Sequence, residues 1–410
     1  MTSAMLITMV LGFALSVSVA VSIGLASIVG IQASNAHMLI SAKEMFNAIN
    51  KFPLAAIPFF ILAGNLMETG GISRRLVEFA KSLVGGVQGG LPMTCVLTCM
   101  IFAAVSGSSV ATTFAIGAIL IPALIKHGYP TTWAAALQAT SAELGVIIPP
   151  SIPMILFGVS AEVSIGELFI AGFGPGLLIS GALMLFVWLY CKWKGWGKND
   201  GDGRLGLFAA TRQAAWALLM PVIILGGIYG GIFTPTEASA VAVLYALVVG
   251  MLIYREIGVK DLYVTLRKSV VSSAVIMFII ANAGLFAFLI TRAGVPEAIG
   301  HWLEEVLKNP AMFLLGVNAA LFVIGMFIEV AVHFGIDPVH FGLIMVVNLA
   351  LGMITPPFGV NLFAACTVAR VSLDKIIRHL VPFVGVVLAC LMVITYVPAL
   401  SLALRDLVYR

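Results

Sequence analysis

Apolar segments of about 18 to 25 residues recur along nearly the whole chain, and this feature limits its possible folds most strongly. Each segment is long enough to cross a bilayer as a helix, the conformation that satisfies its own backbone hydrogen bonds in lipid. Of the 410 residues, 61% are hydrophobic and 10% are charged, and the mean hydropathy is +1.11, which excludes an ordinary soluble domain. The short alternating strands of a membrane barrel are not indicated. The sequence therefore predicts an all-α polytopic membrane protein.

The first apolar run, from Ala4 to Ile31, is too long for the core of a signal peptide and follows no basic segment. We interpret it as the first spanning helix. The five cysteines are odd in number and lie in or beside apolar runs, so neither a disulfide framework nor a zinc site is expected. A formal net charge of +4 is small for this length and indicates no nucleic-acid partner.

The most polar segment, KWKGWGKNDGDGRLGLFAATR (Lys192 to Arg212), is glycine-rich and basic, and it divides the chain. The positive-inside rule places it in the cytoplasm, together with the basic clusters near residues 74–81 and 255–268. Helices predicted at 213–233 and 237–254 then run out and back, and their TPTE turn faces the other side. We divide the chain into a first repeat (1–191), a linker with its connecting helix (192–234) and a second repeat (235–410).

Two proline-rich segments support this repeat. LGVIIPPSI (Leu144 to Ile152) aligns with LGMITPPFG (Leu351 to Gly359), and the same shift along the sequence carries Gly128 onto Gly335. A short amphipathic segment follows the first helix of each half, at 41–52 and at 256–268, and suits an arm lying at the membrane interface. The first half starts inside and the second starts outside, so the repeat is predicted to be inverted.

Paired prolines inside apolar runs break both helices, because proline removes a backbone donor and clashes with the preceding turn. In lipid, such breaks are tolerated where protein or a water-filled cavity satisfies the freed groups. Corresponding breaks in two inverted halves indicate a transporter binding site near the midplane, where unwound carbonyls can bind sodium. The alternative is a pair of kinks that only bend packed helices.

The segment from Phe102 to Pro130 precedes the first break and has a small, hydroxyl-rich centre at residues 106–109. Apolar arms of about a dozen residues or fewer flank this centre, and each is too short to span a bilayer. We predict a re-entrant hairpin whose tip places oxygens beside the unwound residues 145–150, forming a sodium site without a carboxylate. The alternative is a small-residue face for helix packing.

The matching segment of the second half, from Phe322 to Pro338, is shorter. Ser108 to Gly128 covers 20 steps, whereas Glu329 to Gly335 covers six, so most of the returning arm has no counterpart in the second half. Either this chain lacks most of that arm or the printed sequence skips a segment. We favour the second explanation, because a truncated arm would expose polar backbone to lipid.

Ionisable residues in apolar surroundings are functional candidates. Arg292 suits a carboxylate substrate, or it snorkels to the interface. Glu329 suits a substrate hydroxyl or amine, or cation coupling; the alternative is a structural ion pair. Glu143 and Glu237 are expected to be structural. His333 and His340 lack the further ligands of a metal site.

Several motifs together resemble the large membrane subunit of tripartite ATP-independent periplasmic (TRAP) transporters: TGGISRRLVEFAKSLVGG, SGSSVA, IIPPSIP, FTPTEASAVA, GMFIE and GIDPVHFGLIMVVNLALGMITPPFGVNLF. The resemblance covers nearly the whole chain. It implies a sodium-driven importer of organic acids in the bacterial inner membrane, supplied by a periplasmic substrate-binding protein and paired with a small membrane subunit on a separate chain. It also implies an elevator, in which a transport domain with both hairpins and both broken helices moves against a scaffold.

The resemblance further implies specific site residues. A first sodium site would use Ser106, Ser108, Gly145, Ile148 and Pro150, and a second would use Gly325, Gly352 and Thr355. The residues that would face substrate are Ser106, Ser151, Arg292 and Glu329. The short second hairpin puts the second sodium site in question.

Sodium-coupled uptake of a carboxylate is therefore the leading interpretation, and the sequence does not choose between a sialic acid and a C4-dicarboxylate. A membrane-embedded enzyme would need a nucleophile with a base or a metal motif such as HExxH, and the sequence has neither, so we predict no enzymatic activity. A passive channel is the other alternative. The chain also lacks the GxxxxGK[ST] motif of ATP-binding loops.

Overall fold

Residues 1–34, 37–198, 200, 204–295, 298, 314, 336–356 and 359–409 are described by the computed structural model of this protein. These residues form helices and connecting turns and contain no strand. Seven helical segments among them are long and apolar enough to cross a membrane, and a bent pair at 131–160 would make an eighth. Large apolar side chains such as Val222 and Leu244 are exposed on these helices, as lipid-facing positions require. The prediction of a polytopic helical membrane protein is confirmed.

The N-terminal apolar run forms two helices, α1 (Thr2–Ala14) and α2 (Val19–Ala33), so the prediction of one spanning helix is wrong. Ser16 adopts a positive φ of 58° in the turn between them. Gly12 lies against Ser22 and Gly30 lies against Met5, so the helices pack antiparallel. With 13 residues, α1 is about 20 Å long, too short to cross a bilayer core of about 30 Å.

The first predicted arm is the separate helix α3 (Leu39–Ile49), followed by a 3₁₀ turn at Phe52–Ala55 and by α4 (Ala56–Thr69) and α5 (Ile72–Val84). Pro53 lies in the first turn of this 3₁₀ segment, where its missing N–H is tolerated.

The predicted hairpin consists of α6 (Gly90–Ser106) and α7 (Ser109–Lys126). Its arms of 17 and 18 residues are longer than the dozen residues predicted. The first arm of the hairpin, α6, begins at Gly90 because the left-handed Gly89 (φ 74°) starts the helix there, well before Phe102. Each arm is about 26 Å long.

The first broken helix follows the hairpin. It comprises α8 (Thr131–Ser141), α9 (Leu144–Ile147) and, after the break, α10 (Ile152–Ser160), with a bend of 41°. The short helix α11 (Ile165–Ala171) and the long helix α12 (Phe173–Lys194) complete the first half. The predicted break at the proline pair is confirmed.

The polar linker is docked onto the hairpin base. The buried carboxylate of Asp200 accepts hydrogen bonds from the Tyr129 hydroxyl (2.6 Å) and from the backbone N–H of Leu91 (3.1 Å). Gln88 Nε2 donates to the carbonyl of Trp196 (3.0 Å). The segment between α12 and the next helix is therefore fixed to the start of α6.

The predicted out-and-back pair is confirmed as α13 (Leu207–Tyr229) and α14 (Pro235–Leu247), which a π-helix at Val248–Ile253 extends. The second predicted arm is not separate: residues 259–268 begin a continuous helix, α15 (Val259–Arg292). The first arm is interrupted before Pro53, whereas no proline or glycine lies between Val259 and Ala283, so the helix continues.

The C-terminal part contains α16 (Pro338–Ile354), α17 (Val360–Ala369), α18 (Leu373–Tyr396) and α19 (Ala399–Tyr409). Asp337 caps α16 by accepting from the N–H groups of Val339 (2.8 Å) and His340 (3.3 Å). The nearly buried Arg405 of α19 donates to the same carboxylate at 2.7 Å and to Asp406 at 2.7 Å. An ion pair thus fixes the start of α16 to the C-terminal helix.

Two groups of helices can be distinguished by their packing. The first contains α1–α4 and α13–α15; the second contains α6–α12 and α16–α19, and α5 packs against both α13 and α6. The groups also meet where α4 contacts α6 and where the Phe52–Ala55 turn contacts α10. Within the second group, α17 packs on α7 and α8, so the second broken helix lies against the first hairpin.

Candidate functional site

The hairpin turn brings two helix ends together within three residues. Helix α6 ends at Ser106, Gly107 adopts a left-handed conformation (φ 61°), and the extended Ser108 caps α7 by accepting from the N–H of Ala111 (3.3 Å). Glycine is required at the left-handed position, and serine is a favoured N-cap. The sequence SGSS therefore encodes the tip that was predicted.

Three oxygen atoms converge inside this turn. The Thr112 hydroxyl lies 2.8 Å from the Ser108 carbonyl oxygen and 3.1 Å from the Ser106 hydroxyl, and the Ser106 hydroxyl lies 3.5 Å from the same carbonyl. Ser106 and Thr112 are buried. Thr112 was not among the predicted site residues. Its position one helical turn after Ser108 was a usable signal, because residues four apart share a helix face.

The helix break is stabilised locally by Ser151. Residues 148 and 151 have extended backbone, and the peptide bond between Pro149 and Pro150 is cis. The Ser151 hydroxyl donates to the Val146 carbonyl (2.5 Å) and accepts from the N–H of Met154 (3.4 Å), which caps α10. Ser151 is fully buried, so in this conformation its hydroxyl connects the two half-helices.

The hairpin turn and the break are in direct contact. The N–H of Ile152 donates to the Gly107 carbonyl (3.4 Å). A side-chain carbon at Gly107 would lie 2.8 Å from the Pro150 carbonyl oxygen, and one at Gly145 would lie 2.8 Å from the Thr112 hydroxyl and 2.9 Å from the Ser108 carbonyl oxygen. Both glycines are therefore needed for the close backbone approach.

Four of the five residues predicted for the first sodium site are thus brought together: Ser106, Ser108, Gly145 and Pro150. The side chain of Ile148, the fifth, packs against Gly176 of α12, so only its backbone is suited to a cation. We refer to Ser106, Ser108, Thr112, Gly145 and Pro150 as the oxygen cluster.

The oxygen cluster has the chemistry of a site for a hard monovalent cation. Hydroxyl and carbonyl oxygens are the ligands that such ions prefer, and none of the five residues is acidic. Helix α6 ends at Ser106, so its C-terminal end lies at the cluster and adds negative partial charge. The N-terminal ends of α7 and α10 provide the opposite partial charge, which suits an anion.

The second break lies near the first hairpin. Thr355 follows α16 in extended conformation, its hydroxyl donates to the Leu351 carbonyl, and its N–H donates to the Gly352 carbonyl (3.3 Å). The hydroxyl of Ser109 lies 3.5 Å from the Met353 sulfur. At Gly352, an added side-chain carbon would meet no atom of the described residues within 4 Å. Gly325 and Glu329, which were also predicted, lie outside the described residues.

Asn361 is a further candidate that the sequence reasoning missed. It lies at the start of α17 just after the second break and is fully buried. Neither polar atom of its amide has a hydrogen-bond partner in the part of the chain that is described. A buried amide without partners is unfavourable by about 1 to 3 kcal/mol, so a ligand would satisfy it. A lone polar residue in the run GVNLFAA was the available signal.

Arg292 is not brought to the oxygen cluster. On α15, Ser269 accepts from Asn65 of α4 (2.9 Å), and the neighbouring Gly64 lies against Ser106. Arg292 comes later on the same helix, about 35 Å farther along its axis than Ser269. It is exposed at the C-terminal end of α15. This conformation therefore separates the predicted anion contact from the predicted cation site.

The remaining polar candidates differ in their surroundings. Glu237 is structural as predicted, because its carboxylate accepts from the N–H of Thr234 (2.8 Å) in a capping box. Glu143 is fully buried, and its carboxylate has no hydrogen-bond partner among the described residues. His340 Nε2 lies 3.3 Å from the Thr395 carbonyl, and no metal-binding group of histidine, cysteine and acidic residues occurs in the described ranges. His333 lies outside them.

The five cysteines are buried and free.

Comparisons with known proteins agree on one family. The family model described as "Tripartite ATP-independent periplasmic transporter, DctM component" matches residues 5–400. A C4-dicarboxylate TRAP transporter large permease protein DctM of Pseudomonas aeruginosa is 43% identical over 382 residues, which cover 89% of each chain. A sialic acid TRAP transporter large permease protein SiaM of Vibrio cholerae is 34% identical over 381 residues, covering 90% of this chain and 89% of that one.

These alignments also contain a gap. The 382 aligned positions with the Pseudomonas relative exceed 89% of the 410 residues here, so more than a dozen of them have no counterpart in this chain. For the Vibrio relative, 90% of the 410 residues is about 369, so about a dozen of the 381 aligned positions have no counterpart in this chain. The gap is similar in size to the shortfall counted in the second hairpin, where six steps replace 20.

Among solved structures, the crystal structure of the Alcanivorax borkumensis YdaH transporter is similar, with a TM-score of 0.61 at 13% sequence identity. The match covers 87% of this chain and 86% of that one. At this identity the likeness concerns the fold alone.

Proposed function

The chain belongs to the family of the DctM component of tripartite ATP-independent periplasmic transporters, and from this premise we propose that it couples the import of an organic acid to sodium. In this proposal it is the large permease subunit in a bacterial inner membrane. It works with a small membrane subunit and receives its substrate from a periplasmic binding protein. The described part of the molecule is a multi-pass helical membrane protein, as this function requires.

The observation that carries the sodium proposal is the oxygen cluster. Ser106, Thr112 and the Ser108 carbonyl lie within 2.8–3.5 Å of one another at the C-terminal end of α6, and the side chains of Ser106 and Thr112 are buried. A sodium ion entering between them would be bound by oxygens and dipoles without a carboxylate. Sodium would then be co-transported cargo rather than a permanent cofactor. The residues at the second break, Gly352 and Thr355, are the proposed second site.

The repeat that underlies the proposed inverted halves is supported by the helix bounds. Helices α8 and α9 together run from Thr131 to Ile147, and α16 runs from Pro338 to Ile354, so both ends are displaced equally along the sequence. The residues after each end, Ile148 and Thr355, share an extended backbone. This displacement is the one found between the two proline-rich segments of the sequence.

An elevator movement is our proposal for the transport step. The second packing group contains the hairpin and both broken helices, and it would move as the transport domain. The first group would form the scaffold. The contact between the Phe52–Ala55 turn and α10 lies on the boundary between these groups and would change during the movement.

The proposed substrate is a carboxylate. The relatives are described as permeases for C4-dicarboxylate and for sialic acid, both of which carry carboxylates. In this chain, the helix N-terminus at α10 and the buried amide of Asn361 could contact such an anion. Arg292 and Glu329 remain proposed substrate contacts. Arg292 would reach the substrate in another conformation, and Glu329 lies outside the described ranges. Choice among acids would then depend largely on the binding protein.

Uptake into proteoliposomes tests this function directly. The chain and its small subunit are reconstituted, and labelled succinate and sialic acid are offered with and without a sodium gradient and binding protein. We expect saturable uptake of one of the two acids, and this uptake should require both the sodium gradient and the binding protein. Uptake that persists without a sodium gradient but stops without ATP would overturn the symport proposal. Flux that does not saturate and needs no binding protein would instead support a passive channel, and chemical conversion of the acid would support an enzyme.

A further inference from the structure

A cleft of about 250 Å³ lies between α12 and α18, and none of the residues that line it belongs to the oxygen cluster. Aromatic and proline side chains form most of its wall: Trp133, Phe186, Tyr190, Pro382 and Phe383. Basic side chains complete it: Lys194, Arg378 and His379. None of these eight residues is acidic, so the cleft is suited to an anion.

The aromatic wall is rigid. The rings of Trp133 and Tyr190 are stacked with centroids 5.9 Å apart, and the centroids of Trp133 and Phe383 are 5.8 Å apart. Trp133 and Phe383 are buried. Such a wall accepts the apolar part of a ligand but cannot bind a charge by itself. The charge must therefore be bound by the basic side chains at the rim.

The two permanent cations at the rim are available for a ligand. Lys194 Nζ lies 4.3 Å from the centroid of the Trp193 ring and 6.0 Å from that of Tyr190. In the described ranges, no carboxylate forms an ion pair with Lys194 or Arg378. Both side chains are exposed at the ends of membrane helices. An anion bound here would not have to displace an internal partner.

The surroundings of the cleft indicate lipid. The polar linker that follows α12 places this end of the helix at the cytoplasmic boundary by the positive-inside rule. Leu185 and Leu189 on α12 and Val381 on α18 directly precede lining residues in the sequence and are 56%, 51% and 63% exposed, as side chains facing acyl chains are. Tryptophan and tyrosine are characteristic of this depth in a membrane. The volume is also below that of a pocket for a whole drug-sized ligand.

We infer that this cleft binds the phosphate of an anionic phospholipid from the cytoplasmic leaflet. Lys194 and Arg378 contact the phosphate, His379 lies beside it, and the aromatic wall contacts the glycerol region. The acyl chains lie along the exposed leucine and valine side chains. Basic pockets between membrane helices on the cytoplasmic side are suited to such head groups. The inference does not depend on sodium coupling or on the transported acid.

The test measures lipid binding by the full chain with its small subunit. The purified complex in detergent is titrated with phosphatidylglycerol, and bound lipid is counted by native mass spectrometry. We expect Lys194→Gln/Arg378→Gln to weaken the tightest phosphatidylglycerol site about 30-fold, since each basic side chain near an anionic lipid contributes about fivefold. Lys194→Arg/Arg378→Lys keeps both charges and should retain binding within about fivefold.

The matched control is Lys192→Gln/Lys375→Gln. It removes the same charge from the same two helices, at exposed positions that do not line the cleft. We expect this control to bind phosphatidylglycerol like the unmodified protein. An equal loss in both double variants would show that general surface charge attracts the lipid, and would overturn the inference.

Two further arms separate the possible ligands. Phosphatidylcholine, which has no net charge, should bind the unmodified protein and the cleft variant equally. Inorganic phosphate should not compete with phosphatidylglycerol at millimolar concentration. If it competes in the unmodified protein and loses this effect in the cleft variant, the cleft is a site for a soluble anion and the lipid assignment is wrong. Equal melting temperatures of all variants in detergent check that they fold.

Discussion

Thr112 contributes the hydroxyl that connects the two sides of the oxygen cluster. Replacing it with valine keeps the shape but removes one candidate sodium ligand. We expect Thr112→Val to raise the sodium concentration for half-maximal uptake about tenfold, as the loss of one oxygen contact predicts. Thr113→Val is the matched control, because Thr113 is also buried on α7 but donates to the Ser109 carbonyl (2.9 Å) away from the cluster. Equal sodium dependence in both variants would remove Thr112 from the site.

Gly145 and Gly352 occupy equivalent positions of the proposed repeat but differ in the room that surrounds them for a side chain. A methyl group at Gly145 would collide with the Ser108 carbonyl and the Thr112 hydroxyl, whereas one at Gly352 would meet no atom within 4 Å in the part of the chain that is described. We expect Gly145→Ala to lower the free energy of unfolding by about 1 to 3 kcal/mol and to weaken sodium protection against heating. Gly352→Ala should unfold like the unmodified protein. Thermal unfolding in detergent with and without sodium measures both, and an unaffected Gly145→Ala would contradict the close approach.

At the residue scale, the sequence locates the hairpin tip and the helix break where a motif fixes the backbone, and the site roles of these residues stay predictions. SGSS and GVIIPP place Ser106, Ser108, Gly145 and Pro150, because glycine, an N-cap serine and paired prolines restrict the chain locally. Thr112 and Asn361 were missed because their importance depends on what packs against them. The position of Arg292 relative to the cluster depends on where a 34-residue helix points, which no local pattern determines.

At the scale of elements, the ion pair between Asp337 and Arg405 fixes α16 to α19. Burial raises the pKa of Asp337, but hydrogen bonds from Arg405 and from the N–H groups of Val339 and His340 outweigh it and hold the pKa below its usual value. Because the folded-state pKa is lower than that of the unfolded chain, the ionised carboxylate stabilises the fold above about pH 4. This stabilisation is lost as the pH falls through the folded-state pKa.

Asp337→Asn keeps an N-cap acceptor and removes the charge. We expect it to lower the free energy of unfolding at pH 7 by about 2 kcal/mol, since it weakens a hydrogen bond between charged groups. Its stability should also change less than that of the unmodified protein between pH 5 and about pH 3, because one titrating group is gone. Melting temperatures in detergent across this range provide the measurement. Glu44→Gln is the matched charge change outside the pair; a pH profile of Asp337→Asn identical to that of the unmodified protein would refute the role of the pair.

Helix existence was easier to predict than helix bounds. Long apolar runs predicted the spans, and the proline pairs predicted the breaks. The N-terminal run was read as one helix because nothing in its composition requires a turn at residues 15–18; packing of Gly12 on Ser22 stabilises the hairpin instead. The hairpin arms were predicted too short because the left-handed Gly89, which starts α6, was not used as a boundary.

At the scale of the whole molecule, the proposed movement can be blocked. Lys51 follows the first arm and donates to the Val159 carbonyl of α10 (3.4 Å), across the boundary between the two helix groups. Beside them lies a cavity of about 590 Å³ that also reaches Glu162 and Thr234. We expect Lys51→Cys/Val159→Cys, joined by a short cleavable thiol reagent, to lose most uptake and to regain it when the link is cleaved.

A pair inside one group is the matched control. The hydroxyls of Thr69 and Thr265 lie 3.1 Å apart, on α4 and α15 of the first group. Linking Thr69→Cys to Thr265→Cys should leave uptake unchanged, and the five buried native cysteines should not react. Full uptake by the completely linked Lys51–Val159 pair would exclude relative movement at this boundary.

The arrangement of the two halves was predicted in part. The constant shift between the halves came from the proline pairs, and their proposed inverted orientation came from the basic clusters. The packing of α17 on α7 and α8, which places the second break beside the first hairpin, was not predicted. Contacts between segments in opposite halves of the chain depend on the completed fold, and a single sequence contains no local signal for them.

The docked linker acts as a tether of limited length. Asp200 is bound to the base of the hairpin in one helix group, and α13 of the other group begins at Leu207. The chain from Asp200 to Leu207 spans about 25 Å when it is fully extended. If Asp200 stays bound during the proposed elevator movement, the hairpin can travel no farther than this chain allows, so the same aspartate that fixes the linker would set the longest possible stroke.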